Sequence, residues 1–478
     1  MDYLTLFNEK HIENSDAYPR NDIGIAKLFY DLHSGVICYV VEAKTWYTYT
    51  GKVWKKDEGG LWVMERCKDF AQALIAYAES RDDGGEESKA FIKYAGGFHS
   101  RRRREGLLSD ARSIAPKSLT TFDRNRTLFN CQNGTVNLQT FGLQKHRPED
   151  YITKISKAKY EVDASCARWE QFIGEVMCGD VDTALFLQKA LGYGLTGDTS
   201  LECFFILYGS TTRNGKSTLS ETIAHILGEY ARTIQPQTLA RRPSDGSAAS
   251  PDIARLKGAR LVNMPEPEKG LELNIALVKQ LTGGDTYSGR FLNENPIEFR
   301  PECKFFINTN HLPRTSDDTI FSSGRVKLIP FDRHFTIEEQ DNSLKKLFRR
   351  KEDMSGILNW LIDGYRLMLE TGMDTPLRVT AAVDAYRQEA DIFGAFLAEY
   401  TVEQENAHTK TSVLYANYAL WAKDNGYRQM NSKNFVAELR RRCNVRQNGR
   451  EGNFIEGRAL SLSTSPYQDD TGEKLPWD

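Results

Sequence analysis

The first third of the chain mixes short helical and short extended patterns of hydrophobic residues. Trp46–Trp54 predicts two strands joined by a turn at Gly51. A helix is predicted before them because four apolar side chains fall on one helical face: Ile25, Leu28, Phe29 and Leu32. We therefore predict an α+β accessory domain over residues 1–165.

The middle of the chain changes to a pattern in which strands alternate with helices. Trp169–Gly197 is helical and predicts a helical preface over residues 166–200. Apolar runs then predict three strands, at Phe204–Tyr208, Arg260–Met264 and Lys304–Thr309, and Ser217–Tyr230 predicts a helix after the first of them. This alternation is typical of a parallel α/β sheet, which we place at residues 201–340.

The last part of the chain is mainly helical. Leu344–Glu370 predicts a helical lid within residues 341–375. Three further helices are predicted at Tyr386–Tyr400, Val413–Asn425 and Ser432–Arg442, before a turn-rich stretch around Gly449 and Gly452. Helices followed by a hairpin favour a winged-helix-like domain over residues 376–478, so the fold class is multidomain α/β.

Composition excludes several classes of protein. The sequence has 478 residues, with no apolar stretch of the length that a membrane helix needs and no secretory signal pattern. We therefore expect a cytoplasmic protein that does not bind a membrane. Its 8 cysteines contain no C-x-x-C pair. A formal net charge of -2 gives no global attraction to nucleic acid, so such contacts must come from local basic surfaces. Arg101–Arg104 is one basic run, and phosphate contact and simple solvation are about equally good interpretations of it.

The strongest chemical signal is FFILYGSTTRNGKST, Phe204–Thr218, in which an apolar strand runs into a polar loop and then a helix. Backbone N–H groups of such a loop wrap phosphates, Lys216 reaches the terminal phosphates, and the Ser217 hydroxyl can bind Mg²⁺. The predicted nucleotide-binding residues are Gly209, Ser210, Thr211, Thr212, Arg213, Asn214, Gly215, Lys216, Ser217 and Thr218. Gly209 lies one residue further from Gly215 than in the common motif, so either Ser210 takes the first glycine's place or the loop is one residue longer.

Two later strands end at further candidate residues. Glu266 and Glu268 follow the second strand and are candidates for the metal ligand and the general base. The sequence does not decide which glutamate has which role. Asn310 follows the third strand and could orient the attacking water or sense the γ-phosphate, with Asn308 as the rival position. Arg325 precedes another apolar run and could stabilise charge on a neighbouring subunit's nucleotide, although a salt-bridged surface role is the common alternative.

The order of these motifs resembles the superfamily 3 helicases, in particular the phage and plasmid primase/helicase C-terminal family that includes the poxvirus-type helicase-primase. The segments that carry the resemblance are Asn133–Lys154, ARWEQFIGEV, FLQKALGYGLTGDTS, the Phe204–Thr218 loop, SPDIARLKGARLV, LVKQLTGGD, TNHLP and Arg325–Phe331. The resemblance runs from about Asn21 to Glu370, with a weaker winged-helix-like match after it.

This resemblance implies an ATP- and Mg²⁺-dependent DNA helicase of AAA+ type. It makes Lys216 and Ser217 nucleotide-binding, Glu266 and Glu268 the Walker B-like carboxylates, and Asn310 the sensor. It also makes Arg325 an arginine finger acting between subunits. The family forms hexameric rings that move 3′ to 5′ on single-stranded DNA, with a pore hairpin that would lie at Gly283–Phe299 here. Arg290 would be the DNA contact of that hairpin, with an intradomain salt bridge as the alternative role.

The expected setting is replication of a phage or mobile genetic element in a bacterial host, with a separate primase or replication protein as a partner. Basic residues of the last helix favour binding to forked or origin DNA, namely Lys433, Arg440, Arg441 and Arg442. An origin-binding initiator ATPase without processive unwinding is the alternative. A small-molecule phosphotransferase shares only the phosphate-binding loop and leaves the C-terminal segment unexplained.

Overall fold

The computed structural model describes residues 2–12, 16–241, 251–289, 297–315, 317–448 and 452–461. The chain divides into two compact units. The first comprises Met1–Pro313 and Ser322–Ala382, and the second comprises Arg314–Phe321 and Val383–Asp478. Among the described residues, no helix is both long enough and apolar enough to cross a membrane.

The upstream part of the first unit contains helices and two antiparallel three-stranded sheets, of order β1-β2-β3 and β4-β5-β6. Its elements are α1 (Tyr3–Glu9), α2 (Asp22–Leu32), β1 (Ile37–Val40), β2 (Thr45–Tyr49), β3 (Trp54–Lys56), α3 (Leu61–Ser80), α4 (Glu86–Gly96), α5 (Arg101–Ala111), β4 (Leu128–Cys131), β5 (Gly134–Asn137) and β6 (Gly142–Gln144). The predicted hairpin around Gly51 is confirmed, because β2 and β3 pair with Tyr49 opposite Trp54.

The arginine run at the start of α5 is largely used inside this part of the unit. Arg103 forms an ion pair with Asp22 at 3.0 Å and lies over the Tyr94 ring. Arg104 donates to Phe98 O at 2.6 Å. Arg102 is exposed, and no described residue bonds its side chain.

The rest of the first unit is built on a parallel sheet of order β13-β7-β12-β9-β8, which confirms the predicted α/β class. Its elements, of which α11 begins in the second unit's segment, are α6 (Ala167–Val176), α7 (Val181–Tyr193), β7 (Phe204–Tyr208), α8 (Lys216–Leu227), β8 (Ala231–Thr233), α9 (Pro251–Ala254), β9 (Leu261–Met264), α10 (Ile275–Thr282), β10 (Tyr287–Gly289), β11 (Ile297–Phe299), β12 (Lys304–Thr309), α11 (Thr319–Ser322), β13 (Val326–Pro330), α12 (Leu344–Leu347) and α13 (Lys351–Thr371).

Helices α7 and α13 pack closely because two glycines leave room for the opposing backbone. A Cβ at Gly192 would lie 2.6 Å from Leu361 O, and one at Gly364 would lie 2.7 Å from the carbonyl carbon of Gln188. Real side chains do not reach such distances, so a larger residue at either position would force the two helices apart.

Two buried cations tie the amino ends of the sheet strands to preceding segments. Arg260, at the start of β9, donates to Leu195 O and to Leu128 O, both at 2.6 Å, and its guanidinium lies over the Tyr230 ring. Lys304, the first residue of β12, donates to Thr196 O and to Asp198 O. Both side chains offer donors to carbonyl groups that burial would otherwise leave unpaired.

The second unit combines helices with an antiparallel sheet of order β14-β16-β15. Its elements, the first of which begins in the first unit, are α14 (Leu377–Ala390), α15 (Ile392–Tyr400), β14 (Thr401–Lys410), α16 (Thr411–Asp424), α17 (Ser432–Arg442), β15 (Val445–Asn448) and β16 (Gly452–Leu460). The single helix predicted at Tyr386–Tyr400 is wrong, since Asp391 caps a new helix by accepting from Gly394 N at 2.9 Å. Strand β14 was not predicted, and Thr401 and Thr409 are its buried residues.

Candidate nucleotide site

The loop between β7 and α8 has a fixed entry and exit. A Cβ at Gly209 would lie 2.5 Å from Phe331 O, so this position accepts glycine alone. Gly215 has φ +85 and its missing Cβ would meet Val176, which makes it a second obligatory glycine. These two positions favour a loop one residue longer than the common motif, rather than Ser210 in the place of the first glycine.

Side chains and neighbouring backbone hold this loop in shape while its N–H groups stay available. Asn214, which is 4% exposed, donates from Nδ2 to Thr211 O at 2.6 Å across the loop. Within the described part of the chain, the N–H groups from Ser210 to Gly215 make no hydrogen bond. A row of unpaired backbone donors at a helix N-terminus suits the oxygens of a phosphate chain.

The segment after β13 also contacts this loop, a contact that was not predicted. His334 Nδ1 lies 2.9 Å from Thr212 O, and Phe335 N donates to Arg213 O at 2.9 Å. Arg213 has φ +57, a strained value for a residue with a side chain. The extra length of the loop is therefore held by contacts from the segment that follows β13, the strand that neighbours β7 in the sheet.

Three predicted residues meet at the carboxyl ends of adjacent strands. Lys216 Nζ donates to Asn310 Oδ1 at 2.7 Å and to Gly209 O at 3.3 Å. Asn310 in turn donates to Glu266, from its backbone N at 3.1 Å and from Nδ2 at 3.0 Å. The geometry thus links the loop lysine, the amide after β12 and a carboxylate after β9 in one continuous chain of hydrogen bonds.

Burial perturbs the lysine of this group. Lys216 is 5% exposed, and desolvation lowers its pKa to about 8, while the nearby charge of Glu266 opposes that shift. Burial disfavours the charged ammonium because water no longer solvates it, and an anion placed beside it would restore the charge. The free site is therefore poised to gain a strong interaction with a polyanion.

Among the described residues, the other two candidates, Glu268 and Asn308, do not join this series of hydrogen bonds. Glu268 is exposed, and no described residue bonds its side chain. Asn308 is 7% exposed and donates to Asn263 Oδ1 on β9, so it joins two strands and makes no bond to Lys216. Asn263 is a further polar residue of this sheet that the sequence did not single out.

Oxygen donors suited to Mg²⁺ lie around the same loop. Ser217, on the first turn of α8, and Glu266 are both exposed. Hydroxyl and carboxylate oxygens are the ligands that Mg²⁺ prefers, usually together with water and substrate phosphates. The unpaired N–H groups of the loop and these two oxygen donors fit a nucleotide with its magnesium ion.

Arg325 lies at the opposite edge of the sheet, beside the amino ends of β13 and β7. Its Nη1 donates to Thr282 Oγ1 at 3.0 Å, and its Nη2 pairs with the Glu202 carboxylate. The side chain is 16% exposed. Arg325 is thus engaged in an ion pair at the end of the sheet opposite to the nucleotide loop.

The predicted DNA contacts fall into different surroundings. Arg290 lies outside the described residues, and β10 and β11 on either side pair antiparallel with Gly289 opposite Ile297. Lys433 and Arg440 are exposed on α17, without a bond from any described side chain. Arg441 forms an ion pair with Glu438 at 3.1 Å, and Arg442 forms ion pairs with Asp391 at 2.6 Å and Glu438 at 3.0 Å.

Comparison with known protein families matches three parts of the chain. Residues 26–178 match the family described as D5 N terminal like, and residues 388–461 match the family described as Poxvirus D5 protein-like. Residues 207–325, which include the nucleotide loop, match a family of unknown function (DUF5906). Together these matches support a relationship to the D5-type superfamily 3 helicase-primase family.

Individual relatives are distant. Two viral proteins carry the name "Putative helicase". L207/L206 of Acanthamoeba polyphaga mimivirus is 26% identical over 84% of this chain and 45% of its own length. The second, 022R of Frog virus 3 (isolate Goorha), is 26% identical over 53% of this chain and 28% of its own length. This chain thus spans less than half the length of these relatives. Among solved structures, the apo C-terminal region of NrS-1 aligns over 92% of this chain and 100% of its own, at 11% identity and a TM-score of 0.49.

Proposed function

We propose that this chain binds ATP with Mg²⁺ at the loop from Gly209 to Thr218 and couples its hydrolysis to movement along DNA, as a superfamily 3 helicase. The observation that carries the proposal is the hydrogen-bonded series Lys216, Asn310 and Glu266 beside unpaired loop N–H groups. A group of residues with a purely structural role would pair its buried ammonium and its backbone N–H donors within the protein, because unpaired polar groups are costly to bury.

Each residue of the site has a role in this proposal. The loop N–H groups and Lys216 hold the phosphates, while Ser217 and Glu266 hold the metal, which neutralises developing charge on the phosphates when bound. Asn310, which already donates to Glu266, orients the attacking water or senses the γ-phosphate. Either Glu266 or Glu268 accepts the proton of that water.

Assembly into a ring would complete the site. Arg325 cannot serve the nucleotide of its own subunit from the opposite edge of the sheet, which suits a role toward a neighbouring subunit. In that role it would exchange the Glu202 carboxylate for the charge of a phosphate. We further propose a hexamer that moves 3′ to 5′ on single-stranded DNA, with Arg290 and the hairpin of β10 and β11 in its pore.

The second unit is proposed to bind duplex, forked or origin DNA as a winged helix. Its order of elements, helix α15, strand β14, helices α16 and α17 and hairpin β15–β16, supports this fold. Lys433 and Arg440 are spaced seven residues apart on α17, so they share one exposed face, while Arg442 is held in ion pairs. We therefore assign the DNA contact to that face and a mainly structural role to Arg442.

The biological setting remains a proposal. We propose replication of viral or mobile-element DNA, for which a phage in a bacterial cytoplasm is the predicted case and a separate primase or replication protein the predicted partner. The limits 1–165, 166–200, 201–340, 341–375 and 376–478 remain our proposed domains.

The direct test is ATP hydrolysis by the purified full chain with and without single-stranded DNA. We expect stimulation by DNA that is absent in Lys216→Ala, followed by unwinding of a forked substrate. Hydrolysis that is indifferent to DNA, combined with sequence-specific duplex binding that requires Lys433 and Arg440, would instead favour the initiator ATPase. Absence of hydrolysis under all conditions would reject both.

A further inference from the structure

A second cleft lies in the upstream part of the first unit, before the parallel sheet begins. Its volume is about 720 Å³, within the range of small-molecule sites. Polar side chains line two of its walls: Thr121, Arg124, Asn125 and Arg126 on one, and Glu149 and Asp150 on the other. None of the residues predicted from the sequence for nucleotide or DNA binding belongs to it.

The first wall presents hydrogen-bond donors. Arg124 is exposed, and no described residue bonds its guanidinium. Asn125 uses its Oδ1 to accept from Thr127 N at 3.0 Å, which leaves the Nδ2 donors unpaired among the described residues. Arg126 pairs through Nε with Glu302 at 2.8 Å, an arrangement that fixes the guanidinium in place. The planar guanidinium groups of Arg124 and Arg126 present N–H donors in a geometry that matches the oxygens of a phosphate.

The second wall presents acceptors. Glu149 is exposed, with no bond from a described side chain, and Asp150 accepts from Gln144 Nε2 at 3.0 Å. Burial raises the pKa of Asp150, so this carboxyl group lies in a poorly hydrated position. Carboxylates in such a position commonly accept hydrogen bonds from sugar hydroxyls.

The two walls are fixed to each other before any ligand arrives. Asp123, which precedes Arg124, donates from its N to Tyr151 O at 3.1 Å and accepts from Thr153 N at 2.8 Å. Trp54 Nε1 donates to Pro148 O at 2.8 Å and its ring stacks on Tyr151. Little ordering would be needed on binding, which reduces its entropic cost.

We propose that this cleft is a second nucleotide site, with a phosphate against Arg124 and Arg126 and the ribose hydroxyls against Glu149 and Asp150. A cleft lined by both donors and acceptors fits a ribonucleotide better than an inorganic anion, which would use the arginines but give the exposed Glu149 carboxylate no donor. The nucleotide can be free or part of a short RNA strand, and the chemistry of recognition is the same.

The test uses the full chain carrying Lys216→Ala, which weakens binding at the loop after β7, so that the comparison between variants of the cleft reports on the cleft. Calorimetry at constant ionic strength compares ADP, a short oligoribonucleotide and the matching oligodeoxyribonucleotide. We expect binding of ADP, of the RNA or of both, and weaker binding of the DNA. Adding Arg124→Ala should weaken that binding about tenfold or more, since a charged hydrogen bond is lost.

Two further variants complete the test. Arg102→Ala removes another exposed arginine without a described partner and should leave affinity unchanged. Glu149→Gln should reduce the preference for ribose over deoxyribose. Binding of none of the three ligands, equal loss in Arg102→Ala and Arg124→Ala, or equal affinity for RNA and DNA would overturn the proposal. Because Lys216 is already absent, these outcomes are independent of whether the chain hydrolyses ATP.

Discussion

The lowered pKa of Lys216 makes nucleotide affinity depend on pH in a direction that the structure fixes. The ammonium is buried in the free protein, and its pKa is about 8. Phosphates placed beside it favour the charged form, so the pKa must rise when a nucleotide binds. Above pH 8, binding therefore requires the uptake of a proton, and the affinity falls as the pH rises.

The size of the effect follows from the same value. With a pKa of about 8, roughly nine in ten Lys216 side chains are charged at pH 7 and roughly one in ten at pH 9. Affinity for ADP should therefore fall about tenfold between these pH values, or about 1.4 kcal/mol. Most of the protein population should take up one proton per nucleotide at pH 9.

Calorimetry of ADP binding at pH 7, 8 and 9, in buffers with different ionisation heats, measures both the affinity and the proton uptake. Lys216→Arg is the matched control because a guanidinium stays charged throughout this range, so its affinity should not vary with pH. An affinity of the unsubstituted protein that is flat from pH 7 to 9, without proton uptake, would falsify the argument that burial discharges Lys216.

Three further predictions concern other parts of the molecule. Glu266→Gln should slow ATP hydrolysis by about a hundredfold or more, and Glu268→Gln by less than about tenfold, because Glu266 is the carboxylate bonded to the Asn310 amide. Equal rates in the two variants would contradict this assignment. Burial lowers the pKa of Lys304 to about 7 from 10.5, so the unfolded chain binds more protons than the folded chain between these two pH values. The free energy of unfolding should therefore rise by about 2 kcal/mol from pH 7 to 9. Denaturant titrations should show that part of the rise missing in Lys304→Met, and an unchanged rise in this variant would contradict the prediction. Arg440→Ala should weaken duplex binding and reduce the slope of log affinity against log salt concentration by about one. Arg442→Ala should chiefly lower the free energy of unfolding, by about 1 kcal/mol, because its ion pairs are lost. Salt titrations and thermal melts distinguish the two effects, and the reverse pattern would refute the assignment.

The sequence was sufficient for the parts of the fold in which apolar runs are long and buried. Strands β7, β9 and β12 are almost completely buried, and each contains a short run of apolar residues. Strand β8 has three residues, and β14 is a mostly exposed strand that pairs with β16, so neither produces a recognisable pattern. The pairing of β8 and β14 depends on strands that are distant in the chain, so a local sequence pattern does not predict it.

The candidate site was predictable as a set of residues but not as a set of contacts. The positions of Glu266 and Asn310 after their strands were readable, because parallel strands bring their carboxyl ends to one edge of the sheet. The choice of Asn310 over Asn308 depends on which side chain reaches Lys216. The two positions are two residues apart, so strand alternation alone would put both on one face, and only the chain's course after Thr309, the end of β12, separates them. The brace by His334 joins residues 122 positions apart, which no local motif could indicate.

The buried guanidinium of Arg260 has a consequence for the exchange of segments between relatives. The guanidinium donates to one carbonyl of β4 and to one that follows α7. The Arg260 backbone N donates to Tyr230 O, and the Tyr230 ring stacks on the ring of Phe129 in β4. A chimera that joins an upstream segment from one relative to the sheet of another would have to inherit both sides of this contact together. Otherwise a cation would be stranded in a water-free interior, so recombination within the family should favour crossovers that keep β4 and β9 from the same parent.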